Sequence, residues 1–305
     1  RPVALRSHDR PSGVVQAVTQ RPGDIGRRPW ESATVFAVFT VAYSLIGYWL
    51  VVRMHVVGFD TLDRFGRSLM VLHDEPAELA AVGLDRPPLS VLLLTPLTLV
   101  PALARTLVVV PIASAAFAGL TMVAINTMMR RAQLTLPLRV ALLVALGLNP
   151  LVVMYAAIGA PTFLWLALVV TALGALLAWY VTADIRFVML AGLAYAVAAL
   201  TGYGSLLWFV VSLVMVAAVL ARLGADGHEV EGTVVGLASP TVYVVALWSA
   251  LHLLLLADPF GWVTSGAGDR PATSGDLSAA DVVHGTVALV VHGAPIAVVV
   301  LPALV

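Results

Sequence analysis

The hydrophobic positions of this chain form long continuous stretches separated by short polar segments. Apolar stretches of about 20 residues recur, each long enough to cross roughly 30 Å of hydrocarbon as a helix. They do not alternate with a period of two, which argues against a membrane β-barrel. Because backbone groups have no water partner in lipid, we predict an all-α, polytopic transmembrane bundle. The predicted spans are 33–52, 106–128, 138–157, 162–182, 187–202, 205–221, 232–256 and 283–305.

The two ends of the chain differ in character. Residues 1–32 are polar and Arg-rich, and they lack the apolar core and cleavage site of a signal peptide, so we predict a loosely ordered cytoplasmic tail. Residues 33–305 form the predicted transmembrane domain. The chain begins without Met and stops inside an apolar run at Val305, so we expect it to be truncated at its C-terminus.

One apolar stretch, 88–103, is shorter than the others and is interrupted by three prolines. It could cross the membrane, lie in the interface, or enter and return. If it does not cross, one side of the membrane carries Arg1, Arg6, Arg10, Arg21, Arg27, Arg28, Arg130, Arg131, Arg139, Arg186 and Arg222. The other side carries Arg53, Arg64, Arg67, Arg86, Arg105 and Arg270. This bias favours a multi-pass protein of the plasma (inner) membrane, with a cytoplasmic N-terminus and an extracytoplasmic loop 53–105 that contains surface helices.

Composition supports the membrane prediction and excludes several functions. The chain is 60% hydrophobic and 11% charged, far from the balance of soluble proteins. Its zero net charge gives no electrostatic basis for binding nucleic acid. It has no cysteine, which excludes disulfides, thiolate metal sites and cysteine nucleophiles. The lipid bilayer is therefore the one partner that composition indicates directly.

Charge is concentrated in the predicted loop 53–105, where the spacing indicates an amphipathic helix at the membrane interface. The apolar stripe of this helix is Leu62, Phe65, Leu69 and Leu72. Another face carries Asp60, Asp63, Arg64 and Arg67.

Two interpretations of the charged face remain open. In the structural one, Asp60 and Asp63 provide an N-cap with an acidic first turn, and Asp63 pairs with Arg67 for a few tenths of a kcal/mol. In the functional one, Asp60 is a general base, while Arg64, Arg67 or Arg86 hold a phosphate by bidentate hydrogen bonds.

Several short motifs of the chain occur together in a known order. Within the loop they are Gly58-Phe59-Asp60 with Arg64, Glu75-Pro76, Leu79-Ala80-Ala81-Val82-Gly83 and Pro87-Pro88-Leu89. Later they are Asn149-Pro150 with Tyr155 and Gly159, Leu200-Thr201-Gly202-Tyr203, Trp248, and Ala257-Asp258-Pro259-Phe260. This order resembles the GT-C superfamily of membrane glycosyltransferases, and within it an actinobacterial-type subgroup with G-D-A-L-x-R and P-x-L-A-A-I-G-F patterns. Here one extra residue, Phe59, separates the glycine from the aspartate.

The resemblance implies an inverting enzyme that moves a sugar from a polyprenyl-phosphate donor to a cell-envelope glycan, lipid or protein. It implies that Asp60, in the first extracytoplasmic loop, is the catalytic base. The substrate-binding residues predicted with it are Asp63, Arg64, Arg67, Arg86 and Asp258. Among these, Arg64 and Arg86 would bind the lipid-linked phosphate.

The chain also departs from the family pattern. Many members carry a second acid after the third span, which helps to hold a metal or the acceptor, whereas this chain reads Gly159-Ala160-Pro161-Thr162. The family's A-L-T-R-Y turn has lost its Arg, leaving Gly202. Two alternatives therefore stay open: a metal-independent enzyme, or a catalytically silent subunit that scaffolds an envelope complex.

Other chemistry receives less support from the sequence. The histidines are not arranged at metal-ligand spacing, so no cofactor is assigned, although a divalent metal is not excluded. We expect His252, inside a predicted span, to be neutral and hydrogen-bonded to a neighbouring helix. A transporter would require internal repeats and broken or charged helices at the membrane midplane, and neither is evident.

Overall fold

The computed structural model describes residues 29–74, 82–83, 87–159 and 162–262, and in these residues the regular structure is entirely helical. The helices are α1 (Pro29–Gly47), continued by a π-helical turn (Tyr48–Arg53), α2 (Phe59–His73), α3 (Leu89–Thr98), α4 (Pro101–Ala104), α5 (Val109–Arg131), α6 (Leu136–Gly147), α7 (Pro150–Ala157), α8 (Thr162–Thr182), α9 (Ile185–Ala199), α10 (Ser205–Arg222) and α11 (Gly227–Leu256). The all-helical prediction is confirmed.

Five of the described helices are long and apolar enough to cross a membrane. They are α1 with its π-helical turn, α5, α8, α10 and α11. Helices α6 and α7 would make a sixth span if they act together. Helix α9 has 15 residues, or about 22 Å at the helical rise, which is shorter than an ordinary span. The predicted span 283–305 lies outside the described residues.

The predicted span 138–157 is not one straight helix. Helices α6 and α7 meet at an angle of 66°, and the break falls at Leu148 and Asn149. The residue before a proline is driven from helical to extended backbone, and Asn149 has φ −60° and ψ 127°. Its side-chain oxygen accepts a 3.0 Å hydrogen bond from the Leu151 N–H and so caps α7. The Asn149-Pro150 motif therefore lies at a bend within the predicted span.

Proline also divides the predicted helix 88–103. Helix α3 ends at Thr98 and α4 begins at Pro101, with Val100 extended at ψ 110°. The cause is the same restriction on the residue that precedes a proline. The segment thus forms two short helices, and the longer of them has only 10 residues.

The buried apolar side chains form two main groups. One joins α8, α9, α10 and α11 around Tyr195, whose hydroxyl lies 2.6 Å from that of Ser212. The other joins α1, α5, α6, α7 and α8 around Met122. Small residues let these helices approach closely, as at Gly192. A Cβ at Gly192 would lie 2.6 Å from the Leu237 carbonyl oxygen of α11.

Contacts between helix termini define two ends of the bundle. At the basic end, Glu31 of α1 pairs with Arg139 of α6, and Arg131 of α5 lies over the ring of Phe187 of α9. At the loop end, the Leu89 N–H of α3 donates to the Leu200 carbonyl after α9, over 3.0 Å. Helices α2, α3 and α4 all lie at the loop end, between the end of the π-helical turn and the beginning of α5.

Candidate functional site

Helix α2 positions the charged residues that the sequence singled out. It begins after Gly58, whose carbonyl accepts hydrogen bonds from the Thr61 and Leu62 N–H groups. Asp60 is in the first turn, where a carboxylate is favoured by the helix dipole, but no side chain caps the helix. The predicted Asp60 N-cap is therefore wrong, because the N-cap position is Gly58.

Only half of the predicted apolar stripe of α2 packs against the bundle. Phe65 is 6% exposed and Leu69 packs against the same apolar group, which includes Val109 and Val110 of α5. Leu62 and Leu72 are 43% and 40% exposed. Helix α2 therefore presents one apolar side to the bundle and leaves other apolar residues uncovered by the described protein.

Arg64 is the centre of the candidate site because it connects α2 to α3. Its Nε donates to Asp60 Oδ2 at 3.1 Å, and its Nη1 donates to the Ser90 hydroxyl at 2.6 Å. The Arg64 side chain is 15% exposed, whereas that of Asp60 is 53% exposed. The guanidinium is thus held between the two helices, while the carboxylate beside it stays accessible.

Below Arg64 lies a narrow cleft between α2, α3 and α5. Its walls include Thr61, Ser90, Leu94, Ser114 and Gly159. The enclosed space is about 20 Å³, enough for a water molecule but not for a sugar. Arg64 is the only charged residue among those that line it in the described part of the chain. As it stands, the cleft places the Arg64 guanidinium and several hydroxyls around a partly desolvated space that admits water.

The remaining predicted site residues are distributed more widely. Arg67 donates from Nε to Asp63 Oδ2 at 3.1 Å, which is the i,i+4 ion pair of the structural interpretation. Asp258 is exposed in the turn after α11, where its Oδ1 accepts the Phe260 N–H at 3.0 Å. None of Asp63, Arg67 and Asp258 lines the cleft. Arg86 lies outside the described residues.

The turn after α7 closes the cleft from the bundle side. Gly159 has φ +90°, a conformation that side-chain-bearing residues rarely adopt. A Cβ there would collide with Val110 and would lie 2.7 Å from the Thr61 methyl. Close backbone approach, rather than a second carboxylate, is what this turn contributes to the site.

The described side chains near the cleft do not form a set of metal ligands. In the part of the chain that the structure describes, no group of three or more His, Asp or Glu side chains converges in a way that could hold an ion. The residues around Arg64 supply hydroxyls and one guanidinium, and the nearby Asp60 is a single carboxylate. A set of this kind could bind an anion beside one accessible carboxylate.

A second polar group at the loop end joins two of the sequence motifs. Trp248 donates from Nε1 to the Tyr203 hydroxyl at 3.2 Å, and the rings of Tyr203 and Trp262 are 4.8 Å apart. His252 is fully buried, but its Nδ1 contacts the Trp248 carbonyl of its own helix at 3.0 Å. The predicted hydrogen bond from His252 to a neighbouring helix stays a prediction.

Two residues of the site were not found from the sequence. Ser90 directly follows the Pro87-Pro88-Leu89 motif, and that position is the one signal that could have indicated it. Thr61 follows Asp60 and gives no sequence signal. Both line the cleft, and both are at most 5% exposed.

Comparison with known proteins adds no relative from which a function could be transferred. The chain matches no model of a protein family, no curated protein and no solved structure.

Proposed function

We propose that this chain is an integral membrane glycosyltransferase of GT-C type, which moves a sugar from a polyprenyl-phosphate donor to an extracytoplasmic cell-envelope acceptor. The observation that carries the proposal is the pairing of an accessible carboxylate, Asp60, with Arg64, a guanidinium that lines the cleft. A base and an anion-binding group side by side at one end of a membrane bundle suit the transfer of a sugar from a lipid-linked phosphate. Gly159 and Leu200, which belong to two of the later motifs, also lie at this loop end.

In the proposed reaction, Asp60 accepts the proton of an acceptor hydroxyl. The acceptor oxygen forms a bond to the anomeric carbon, and the bond from that carbon to the phosphate oxygen breaks with its electron pair. The product has the inverted configuration, and the released lipid phosphate carries the negative charge. Arg64 binds that phosphate by charge-assisted hydrogen bonds, and no acid is needed to protonate the leaving group.

Donor binding on this proposal requires movement of Arg64. The enclosed space admits water only, and two of the guanidinium nitrogens are already bonded to Asp60 and Ser90. We infer that the phosphate replaces the Asp60 carboxylate as a partner of Arg64. That exchange would release Asp60 from Arg64, so that its carboxylate can accept the acceptor proton when the donor is in place.

The same proposal places the loop end outside the cell and the N-terminus in the cytoplasm of a plasma-membrane protein. Because the chain has no cysteine, single cysteines can report this directly. Asp74→Cys, just after α2, should react with a membrane-impermeant maleimide in intact cells. Arg222→Cys, at the end of α10, should react only after permeabilisation. The opposite pattern would overturn the orientation.

A second candidate is a catalytically silent subunit with the same fold that scaffolds an envelope complex. The observation that favours it is the cleft lining, where no carboxylate occurs among the described residues. In this candidate the Asp60–Arg64–Ser90 chain only fastens α2 to α3.

One experiment separates the two candidates. Purified protein in nanodiscs is incubated with a polyprenyl-phosphate sugar labelled in the sugar, together with an extract of envelope acceptors. The enzyme predicts transfer of label to acceptor with inverted anomeric configuration. A protein that neither transfers the label nor retains the labelled donor would support the scaffold and contradict the enzyme.

A further inference from the structure

Helices α5, α8 and α9 form a groove that lies away from the candidate site. The groove holds about 320 Å³ of space, and its walls are almost entirely apolar. On α5 it runs from Leu120 to Arg131, and on α8 from Leu164 to Gly174. It lies between two of the helices long enough to cross a membrane.

The length of the groove matches one leaflet of a bilayer. Leu120 and Arg131 are 11 positions apart on α5, which is about 16 Å at the helical rise. Half of the hydrocarbon core is roughly 15 Å. A single acyl chain lying along the groove would therefore reach from the basic end to the middle of the membrane.

A cation stands at the mouth of the groove. Arg131 is the last residue of α5, and its Nη1 donates to the Gly174 carbonyl at 2.6 Å. Its guanidinium carbon lies 5.4 Å from the centre of the Phe187 ring, so the group is fixed in place. A guanidinium has five N–H donors in a rigid fork, and the Gly174 carbonyl takes only one. The rest can serve an anion at headgroup depth.

The surrounding charge also favours an anion. Arg130, the residue before Arg131 on α5, has its Nε and Nη1 buried without a hydrogen-bond partner. Arg139 is paired with Glu31, whose carboxylate also accepts from Asn126. Three guanidinium groups thus lie near the end of α5, and Glu31 is the acid bonded to them among the described contacts.

We propose that this groove binds an anionic phospholipid, with one acyl chain along α5 and α8 and the phosphate on Arg131. The positive charge of Arg131 favours a phospholipid in the groove over the predicted span 283–305. The predicted span 283–305 contains no acidic residue, so it offers Arg131 no counter-charge, whereas a phospholipid phosphate does. The site is independent of the proposed glycosyl transfer, because it lies at the basic end and the transfer site lies at the loop end.

The test is native mass spectrometry of the detergent-solubilised full chain with added phosphatidylglycerol or phosphatidylcholine. The wild type should retain phosphatidylglycerol in preference to phosphatidylcholine. Arg131→Gln should weaken phosphatidylglycerol binding about tenfold, the effect of losing one charge-assisted hydrogen bond. Arg131→Lys should weaken it less. Arg222→Gln, an exposed arginine at the same end, is the matched control and should bind as the wild type does.

A groove-filling variant tests the acyl chain separately. Ala124 lines the groove midway along α5, and Ala124→Phe should reduce retention of phosphatidylglycerol while Arg131 is intact. Equal retention of the two lipids by the wild type would overturn the proposal, and that comparison needs no variant. Unchanged phosphatidylglycerol binding in both Arg131→Gln and Ala124→Phe would overturn it as well.

Discussion

Glu31 and Arg139 are 108 positions apart in the chain, yet they form a partly buried ion pair of 2.6 Å between the first turns of α1 and α6. Arg139 also donates to the Asn126 side-chain oxygen of α5 at 3.3 Å. Three helices are therefore joined at the basic end by one polar group. Ionisable residues inside membrane helices are expensive to bury, so their mutual pairing is a condition for burying them.

Breaking this pair should destabilise the protein strongly. Glu31→Ala leaves the Arg139 guanidinium buried without its carboxylate, which costs about 3–5 kcal/mol in a fully buried pair and less here, because Glu31 is partly exposed and Arg139 keeps Asn126 as a partner. The measurement is thermal unfolding in detergent. Replacing both residues, as Glu31→Met with Arg139→Met, should cost less than either single change, because no buried charge is left unpaired. A single variant as stable as the wild type would contradict the account.

Helix packing in the second half of the chain depends on Gly192. A Cβ there would approach the Leu237 carbonyl at 2.6 Å and the Pro240 ring at 3.1 Å, so Gly192→Ala should force α9 away from α11. We expect a loss of about 1–3 kcal/mol, the usual cost of overpacking.

Gly236→Ala on α11 is the matched control for this change. A Cβ at Gly236 would meet only the Met189 sulfur, at 3.8 Å. Alanine favours helix over glycine by up to about 1 kcal/mol, so this variant should be neutral or more stable. Equal unfolding temperatures for Gly192→Ala and Gly236→Ala would show that the close crossing is not important for stability.

Five of the eight predicted spans match helices long and apolar enough to cross a membrane, because run length and hydropathy are local properties. The bend at Asn149 was missed because a hydropathy window does not register the backbone restriction that Pro150 places on one residue. The predicted first span began at 33, whereas α1 begins at Pro29, so Glu31 was assigned to the tail. Its partner Arg139 could not be foreseen, since the pairing depends on how α1 and α6 pack.

In the candidate site, too, contacts within one helix could be predicted and contacts between helices could not. The spacing of Asp60 with Arg64 and of Asp63 with Arg67 on one helix indicated both pairs. Ser90 lies 26 residues beyond Arg64, and its contact requires α3 to pack against α2. Sequence spacing reports which residues share a helix, but the contacts between helices follow from tertiary packing.

Arg64 should matter for the donor more than for folding. On the proposed function, Arg64→Gln removes the guanidinium that binds the lipid phosphate, so KM for the donor should rise about tenfold or more. Arg105→Gln, an exposed arginine at the loop end, is the matched control and should leave KM unchanged. The measurement is initial transfer rate against donor concentration. A loss of kcat with unchanged KM would contradict a role in donor binding.

The central claim is that Asp60 is the general base, and the most direct measurement is the rate of sugar transfer by Asp60→Asn. This change keeps the size of the side chain but removes the group that accepts the proton. Asp74→Asn, the same substitution just beyond the other end of α2, is the control. With both variants folded and present in equal amounts, the account predicts no detectable transfer by Asp60→Asn and wild-type transfer by Asp74→Asn. Wild-type transfer by Asp60→Asn would contradict it.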